Sequence, residues 1–500
     1  MPRLVILSCF ALSCLAQDAY TIAGRVVRHS DRQPLRGVQV SLAMTKEASH
    51  EVSVISGNDG EFAFRGLAAG RYRLRATEHG LTRSYQQSDG SSTAIVTGPN
   101  LDTEHLVFAL EPPASISGKV VDEENDPQPN LQVYLFRQSM VGGKYETRER
   151  SAAPTQTSGT FHFRNLEPGT YYLAVAGRPW YAYAAYDQQP HSTLDVAYAT
   201  TYYADATSAE GATPLKLSEG QKAEIQMTVH AVPSVHVKID GLNRREVGRA
   251  PGIMITQAGP GGTVVRLSMA MRNSEIVGLA PGTYTVNVNG GTQKVTLTGD
   301  TELPTGGFIE TSLKGKVILE GEEKAGATRL LLTNDAGFNQ LAPRTGPDGT
   351  FDVPGVQPGH YRLGFANAAD AYVAKVEVKG GTYVNGVLDV AAGANVEVVI
   401  TPGHGLTKVE GTVAVGGATV LLIPLDRSLG RPIGRNQSDS DGSFSISGVA
   451  PGRYTLVAID DVQGLAYADP AVIAPYLQHG QVVTVPINKV GEVEVQKRLE

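Results

Sequence analysis

Seven aromatic side chains crowd into one region of this chain: Trp180, Tyr181, Tyr183 and Tyr186, then Tyr198, Tyr202 and Tyr203. Trp180 is the only tryptophan in 500 residues. Sugar rings carry apolar C–H faces edged by hydroxyls, so they suit aromatic platforms with polar groups at the rim, and Arg178, Asp187, Gln188 and Asp205 lie beside these rings. The segment is therefore a candidate ligand-binding surface for a polysaccharide or for an envelope or surface protein. Tyr and Trp also cover an edge while keeping one polar tip wet, so packing of this insertion onto its own or a neighbouring domain is the competing reading.

Other reactive groupings are thin. A catalytic zinc site of the peptidase kind needs a His-x-x-Glu pair and a distant His, and none of the eleven histidines has a glutamate three residues on. The nearest pair is His230 and His236. There is no Gly-x-Ser-x-Gly elbow for a nucleophilic serine. Gly259-Pro260-Gly261-Gly262 precedes no helical pattern and reads as a loop, not a phosphate cradle. Asp439-Ser440-Asp441-Gly442 has a calcium-loop flavour, but the residues after it run straight into a strand, so a hairpin turn fits better. The expectation is a non-catalytic protein without metal or cofactor.

The first sixteen residues form an export signal: Arg3, the apolar run Leu4 to Leu15, and a small-x-small site at Cys14-Leu15-Ala16. That run is too short to span a bilayer, and no later stretch is long and apolar enough. Both cysteines, Cys9 and Cys14, lie in this leader, so the exported chain has no thiol, which favours a bacterial envelope, surface or secreted protein. Ala11-Leu12-Ser13-Cys14 also loosely resembles a lipoprotein signal, with Cys14 as the acylated residue. Beyond the leader, 42 basic residues face 50 acidic ones, scattered without blocks, which excludes the basic stripe of a nucleic-acid binder.

The elements that must hold these residues announce themselves as a repeated phrase. Asp59-Gly60-Glu61-Phe62 is followed by Gly70-Arg71-Tyr72-Arg73-Leu74, and Ser158-Gly159-Thr160-Phe161 by Pro168-Gly169-Thr170-Tyr171-Tyr172-Leu173. Asp348-Gly349-Thr350-Phe351 leads to Pro358-Gly359-His360-Tyr361-Arg362-Leu363, and Asp441-Gly442-Ser443-Phe444 to Pro451-Gly452-Arg453-Tyr454-Thr455-Leu456. A worn copy keeps Pro281-Gly282-Thr283-Tyr284-Thr285-Val286, with Arg272 and Ser274 in the places of the turn glycine and Phe. Asp-Gly suits a tight hairpin needing positive φ, Pro-Gly a second turn, and Tyr and Leu two apart share one strand face. Strands opening on Gly24, Gly118, Gly315 and Gly411 precede the phrase, and alternating apolar strands flank it.

Seven or so short strands per copy predict an all-β chain, a tandem array of about five small antiparallel β-sandwich modules of transthyretin-like or immunoglobulin-like type. The expected boundaries are a signal peptide at 1–16 and modules at 17–113, 114–231 (with the aromatic insertion), 232–304 (degenerate), 305–403 and 404–500. Hinges are expected at Glu111-Pro112-Pro113, Val232-Pro233, Pro304-Thr305-Gly306-Gly307 and Pro402-Gly403-His404-Gly405. Five such units in line predict a rod approaching about 150 Å.

The combination of Gly-x-Val, Asp-Gly-x-Phe and Leu-x-Pro-Gly-x-Tyr-x-Leu resembles the carboxypeptidase regulatory-like domain. That family is similar to transthyretin-like sandwiches, to the carbohydrate-binding-like fold, and to the B-type repeats of collagen adhesins. The resemblance implies a non-catalytic exported binding or adhesion protein, with carbohydrate as one ligand class; the alternative is a structural spacer or accessory scaffold without a ligand pocket. Adhesin-type relatives join a strand Lys to an Asn by an isopeptide bond, but Arg25 and Thr412 stand where Lys119 and Lys316 would offer it, so these read as surface lysines.

Overall fold

The computed structural model describes residues 19–46, 50–182, 194–240, 252–268, 270–272, 275–288, 290–318, 329–334, 340–366, 370–427, 430–486 and 492–494. The leader, with Cys9 and Cys14, and Tyr183, Tyr186, Asp187 and Gln188 lie outside the described residues. No helix among the described residues is long and apolar enough to cross a membrane.

The first module shows the plan. Its strands are β1 (Tyr20–Arg28), β2 (Gln39–Met44), β3 (Glu51–Ile55), β4 (Glu61–Leu67), β5 (Gly70–Glu78), β6 (Leu81–Ser84), β7 (Ile95–Thr97) and β8 (Leu106–Leu110). One sheet runs β4-β1-β8; the other runs β3-β2-β5-β6, with β7 also on β5. Alternation sends Phe62, Phe64, Tyr72 and Leu74 inward, where they meet Ile22, Val26, Val40, Leu42 and Phe108. Burying each such side chain contributes about 1.5–3 kcal/mol. Four further cores, each centred on one copy of the phrase, gather around Tyr171, Tyr284, Tyr361 and Tyr454.

The Asp-Gly turn is not the hairpin its sequence suggests. β3 and β4 flank it but belong to opposite sheets, and the same crossing occurs between 144–154 and 160–166, 340–341 and 350–354, and 434–437 and 443–449. A hairpin keeps neighbours hydrogen-bonded; this turn carries the chain over the core edge. Gly60 has φ +73°, and its carbonyl accepts from Val26 N at 2.8 Å. A Cβ there would sit 2.3 Å from the Val26 carbonyl oxygen, so glycine is required twice over. In the worn third copy, 270–272 pairs antiparallel with 275–279 in one sheet, and the crossing falls one strand earlier, after 264–266 of the other sheet.

Each module also contains one parallel pair, which the expectation of a purely antiparallel sandwich missed. β1 lies parallel to β8, and 114–121 to 222–228, 235–239 to 301–303, 312–317 to 395–403, and 407–412 to 492–494. The chain leaves each module beside its entry strand and in the same direction, so successive modules follow one another.

They do not follow one another into a rod. Module five folds back onto module one: Ser440 N donates to Ala94 O at 2.9 Å, and Arg71 pairs with Asp439 at 2.9 Å. It also meets module two, where Ala468 N donates to Gly143 O at 3.1 Å. Some expected hinges are strand as well: 231–233 pairs with 196–198, and 402–403 ends the strand Asn395–Gly403. Backbone groups that seemed free to swing are held in ladders.

Candidate functional site

The aromatic insertion leaves the strand Gly169–Ala176 and returns through 196–198 and 201–202 onto the ladder of module two. This path divides the rings. Trp180 stays 60% exposed, in edge contact with Tyr181 at 5.7 Å between centroids. Tyr198 is only 5% exposed in the module-two core, its hydroxyl donating to Gln128 Oε1 at 2.9 Å. Tyr202 is 2% exposed and donates to the Ala258 carbonyl of module three at 2.6 Å. Tyr203 is half-buried and packs against the module-two core. Among the described residues, then, Trp180 and Tyr181 share a surface corner, while Tyr198 and Tyr202 spend their faces on packing.

Burial raises the phenol of Tyr198, helped by Tyr181 and the nearby Asp122 and Glu123 carboxylates, and burial pushes Tyr202 up to about 12. Both stay neutral donors at any physiological pH, as hydrogen bonds to oxygen acceptors require. Of the proposed polar rim, Arg178 is buried, and the Asp205 carboxylate accepts from Thr228 N at 2.9 Å.

The insertion joins module two to module three. Tyr134, Phe136, Ala174, Ala176 and Tyr202 share one apolar cluster with Val265 across the junction. Tyr134 donates to Arg266 O at 2.5 Å, and Arg266 pairs with Glu149 at 2.9 Å. Ala182 and Val277 form a smaller contact, with Tyr181 and Val196 against it. The cavity lined by Arg178, Tyr198, Thr200, Ser268, Leu279 and Tyr284 measures about 10 Å³, room for one water.

Asp195, Ser234 and His236 form a constellation with a reactive appearance. Asp195 bonds Ser234 Oγ through one carboxylate oxygen and lies 2.8 Å from His236 Nε2 through the other. A hydrolytic triad needs the hydroxyl on the imidazole, so that the ring can take its proton. Here the hydroxyl is on the carboxylate and the imidazole is buried, so the three residues pin the returning insertion to the opening strand of module three. At the first junction, His29, Glu111 and Glu219 bring ligand-type atoms within 4.8 Å of one another. Glu219 accepts from Ser30 N at 3.2 Å, and Glu111 lies 3.8 Å from Arg83. Glu219 thus ties module two to module one, while the Glu111–Arg83 pair lies within module one. Arg83 also reaches Glu167, in the Pro-Gly turn of the second phrase, at 2.5 Å.

The phrase holds one device that the sequence reading missed. In all five copies the Tyr hydroxyl donates to the carbonyl four residues back: Tyr72 to Ala68 at 3.0 Å, Tyr171 to Glu167 at 2.7 Å, Tyr284 to Ala280 at 2.5 Å, Tyr361 to Gln357 at 2.6 Å and Tyr454 to Ala450 at 2.7 Å. The bond locks the second crossing between sheets, as tyrosine corners do in other sandwiches. The available signal was that the position is Tyr, never Phe, even in the worn copy.

These features define an array of transthyretin-like sandwich modules docked through their loops. Two tandem segments, 21–104 and 115–229, match the carboxypeptidase regulatory-like domain. No curated protein matches the chain. Among solved structures it is similar to the Bacillus anthracis TIE protein, at 8% identity over 97% of this chain and 75% of that one, TM-score 0.19. It is also similar to GBS52, the minor pilin of Streptococcus agalactiae, at 13% identity over 43% and 97%, TM-score 0.22. A third is BcpA, the major pilin subunit of Bacillus cereus, at 9% identity over 59% and 100%, TM-score 0.16. Scores of this size establish no shared overall arrangement.

Proposed function

We propose that this chain is a non-catalytic exported scaffold or adhesion protein of a bacterial envelope or surface, presenting small rigid sandwiches in a fixed mutual arrangement. The observation that carries this reading is how the loops are used. In a catalytic array, loops at module junctions would wall a cleft. Here loops of modules one, two and five are spent on hydrogen bonds and apolar contacts to another module. Partner binding then falls to outward-facing surface.

Carbohydrate contact is a second reading, favoured by one observation: the 60% exposed Trp180 in edge contact with Tyr181. One exposed corner supports weak, avidity-dependent binding better than a deep site. As the sole tryptophan, Trp180 reports on itself. Acrylamide should quench its emission readily, and envelope polysaccharide should protect it if sugars bind there. Glycan-array binding unchanged by Trp180→Ala would remove Trp180 as the sugar site, and no binding to any glycan would leave the scaffold alone. A substrate-turnover screen that found activity in the purified chain would overturn the non-catalytic reading itself.

A further inference from the structure

The contact between the first and last modules is polar and built with care. Arg435 donates to Ser88 O at 2.7 Å and to Asp89 O, and lies 3.5 Å from the Asp89 carboxylate; the two side chains are 11% and 10% exposed. Tyr467, fully buried, donates to the same carboxylate at 2.6 Å. Gln437 donates to Gln86 O at 2.5 Å. Ser440 gives its N–H to Ala94 O, and its hydroxyl accepts from Val96 N at 2.8 Å. Asp439, the would-be calcium ligand, accepts from Ala94 N at 3.3 Å and pairs with Arg71.

Three features set this contact apart. Its members are about 345 to 380 residues apart in sequence and are linked only through the intervening modules. It is hydrogen-bonded rather than apolar, so both faces can be rehydrated when apart, unlike the shared cluster of modules two and three. And among the described residues no apolar cluster spans the junction of module four with five, so the return path can yield there. Two different, mutually complementary faces on one chain make a heterologous pair, and the same atoms serve within a chain or between chains.

We infer that module five is a docking head for the Ser88–Val96 face of module one, and that this face takes module five of a second copy when its own is displaced. Within one chain the contact is favoured by an effective concentration on the order of millimolar. Joining of copies therefore requires the closed contact to be broken or strained. The inference stands apart from whatever partner the array binds.

The test uses two full-length variants, Asp89→Arg and Arg435→Glu. Alone, each loses the closed contact, and its maximum dimension in small-angle scattering should rise while circular dichroism is unchanged. Mixed, the first supplies an intact Arg435 and the second an intact Asp89. Light scattering should then show a doubled mass at micromolar concentration. Variants as compact as the parent chain would refute the docking head, and a mixture that remains monomeric would refute the joining of copies. If a reversed charge unfolds the chain, Tyr467→Phe with Gln437→Ala loosens the same contact without burying a new charge. That variant should show a larger dimension; a parent-like profile would overturn the docking head equally.

Discussion

Tyr284→Phe is the sharpest test of the tyrosine corner, because module three has lost the Asp-Gly arch and keeps the corner alone. The ring is 2% exposed and stays in place on substitution, so no cavity opens. What disappears is the 2.5 Å bond to Ala280 O, and Ala280 is itself buried, leaving its carbonyl without this donor. Losing a net hydrogen bond removes about 0.5–1.5 kcal/mol, and an orphaned buried acceptor adds to that, giving about 1–2 kcal/mol. A multi-module chain does not unfold in two states, so a global melting midpoint would blur the effect. Amide hydrogen exchange read on peptides covering 275–288 isolates it. About 1–2 kcal/mol corresponds to roughly 5- to 30-fold faster exchange there, with modules one and five unchanged. Exchange within twofold of the parent would refute the corner as a stabilising bond and leave Tyr284 as a plain apolar ring.

Gly159→Ala should destabilise module two by more than about 1 kcal/mol, since φ is +71° and the new methyl would meet Val120 O at 2.5 Å; local hydrogen exchange reads it. Tyr134→Phe and Tyr202→Phe together should loosen modules two and three without unfolding either, visible as faster proteolysis of the 194–214 return. Burial raises the Asp439 carboxyl above the ordinary range, and Arg71 opposes the rise, so NMR titration of Arg71→Ala should show it higher still. Because the docked value lies above the undocked one, Asp439 favours docking when protonated and loses that contribution as pH rises through the docked value. Opening of the array by mild acid is therefore not expected from Asp439; acid-driven expansion in scattering would contradict this.

Much of the fold was legible because it is written locally. Phe62, Tyr72 and Leu74 declare their shared core by spacing alone, since a strand's alternation leaves a two-residue period in any sequence that buries one face. The turn glycines declare positive φ for the same local reason. That Asp-Gly joins opposite sheets was not legible, because a turn's sequence encodes its dihedrals and not the partners of the strands it connects. The corner hydroxyls lay halfway between: the choice of Tyr over Phe was visible, its carbonyl partner was not.

The candidate site divides along the same line. Crowding of aromatics marked the insertion, yet burial of Tyr198 and Tyr202 with exposure of Trp180 was decided by where modules two and three meet. The return of module five to module one, which replaces the expected rod, rests on pairs such as Arg435 with Asp89 and Tyr467 with Asp89. Composition and short-range spacing determine each module's strands and core, because those depend on neighbours within one repeat. The order in which modules touch depends on charge and shape matched over hundreds of residues, and only the tertiary structure brings those matches together.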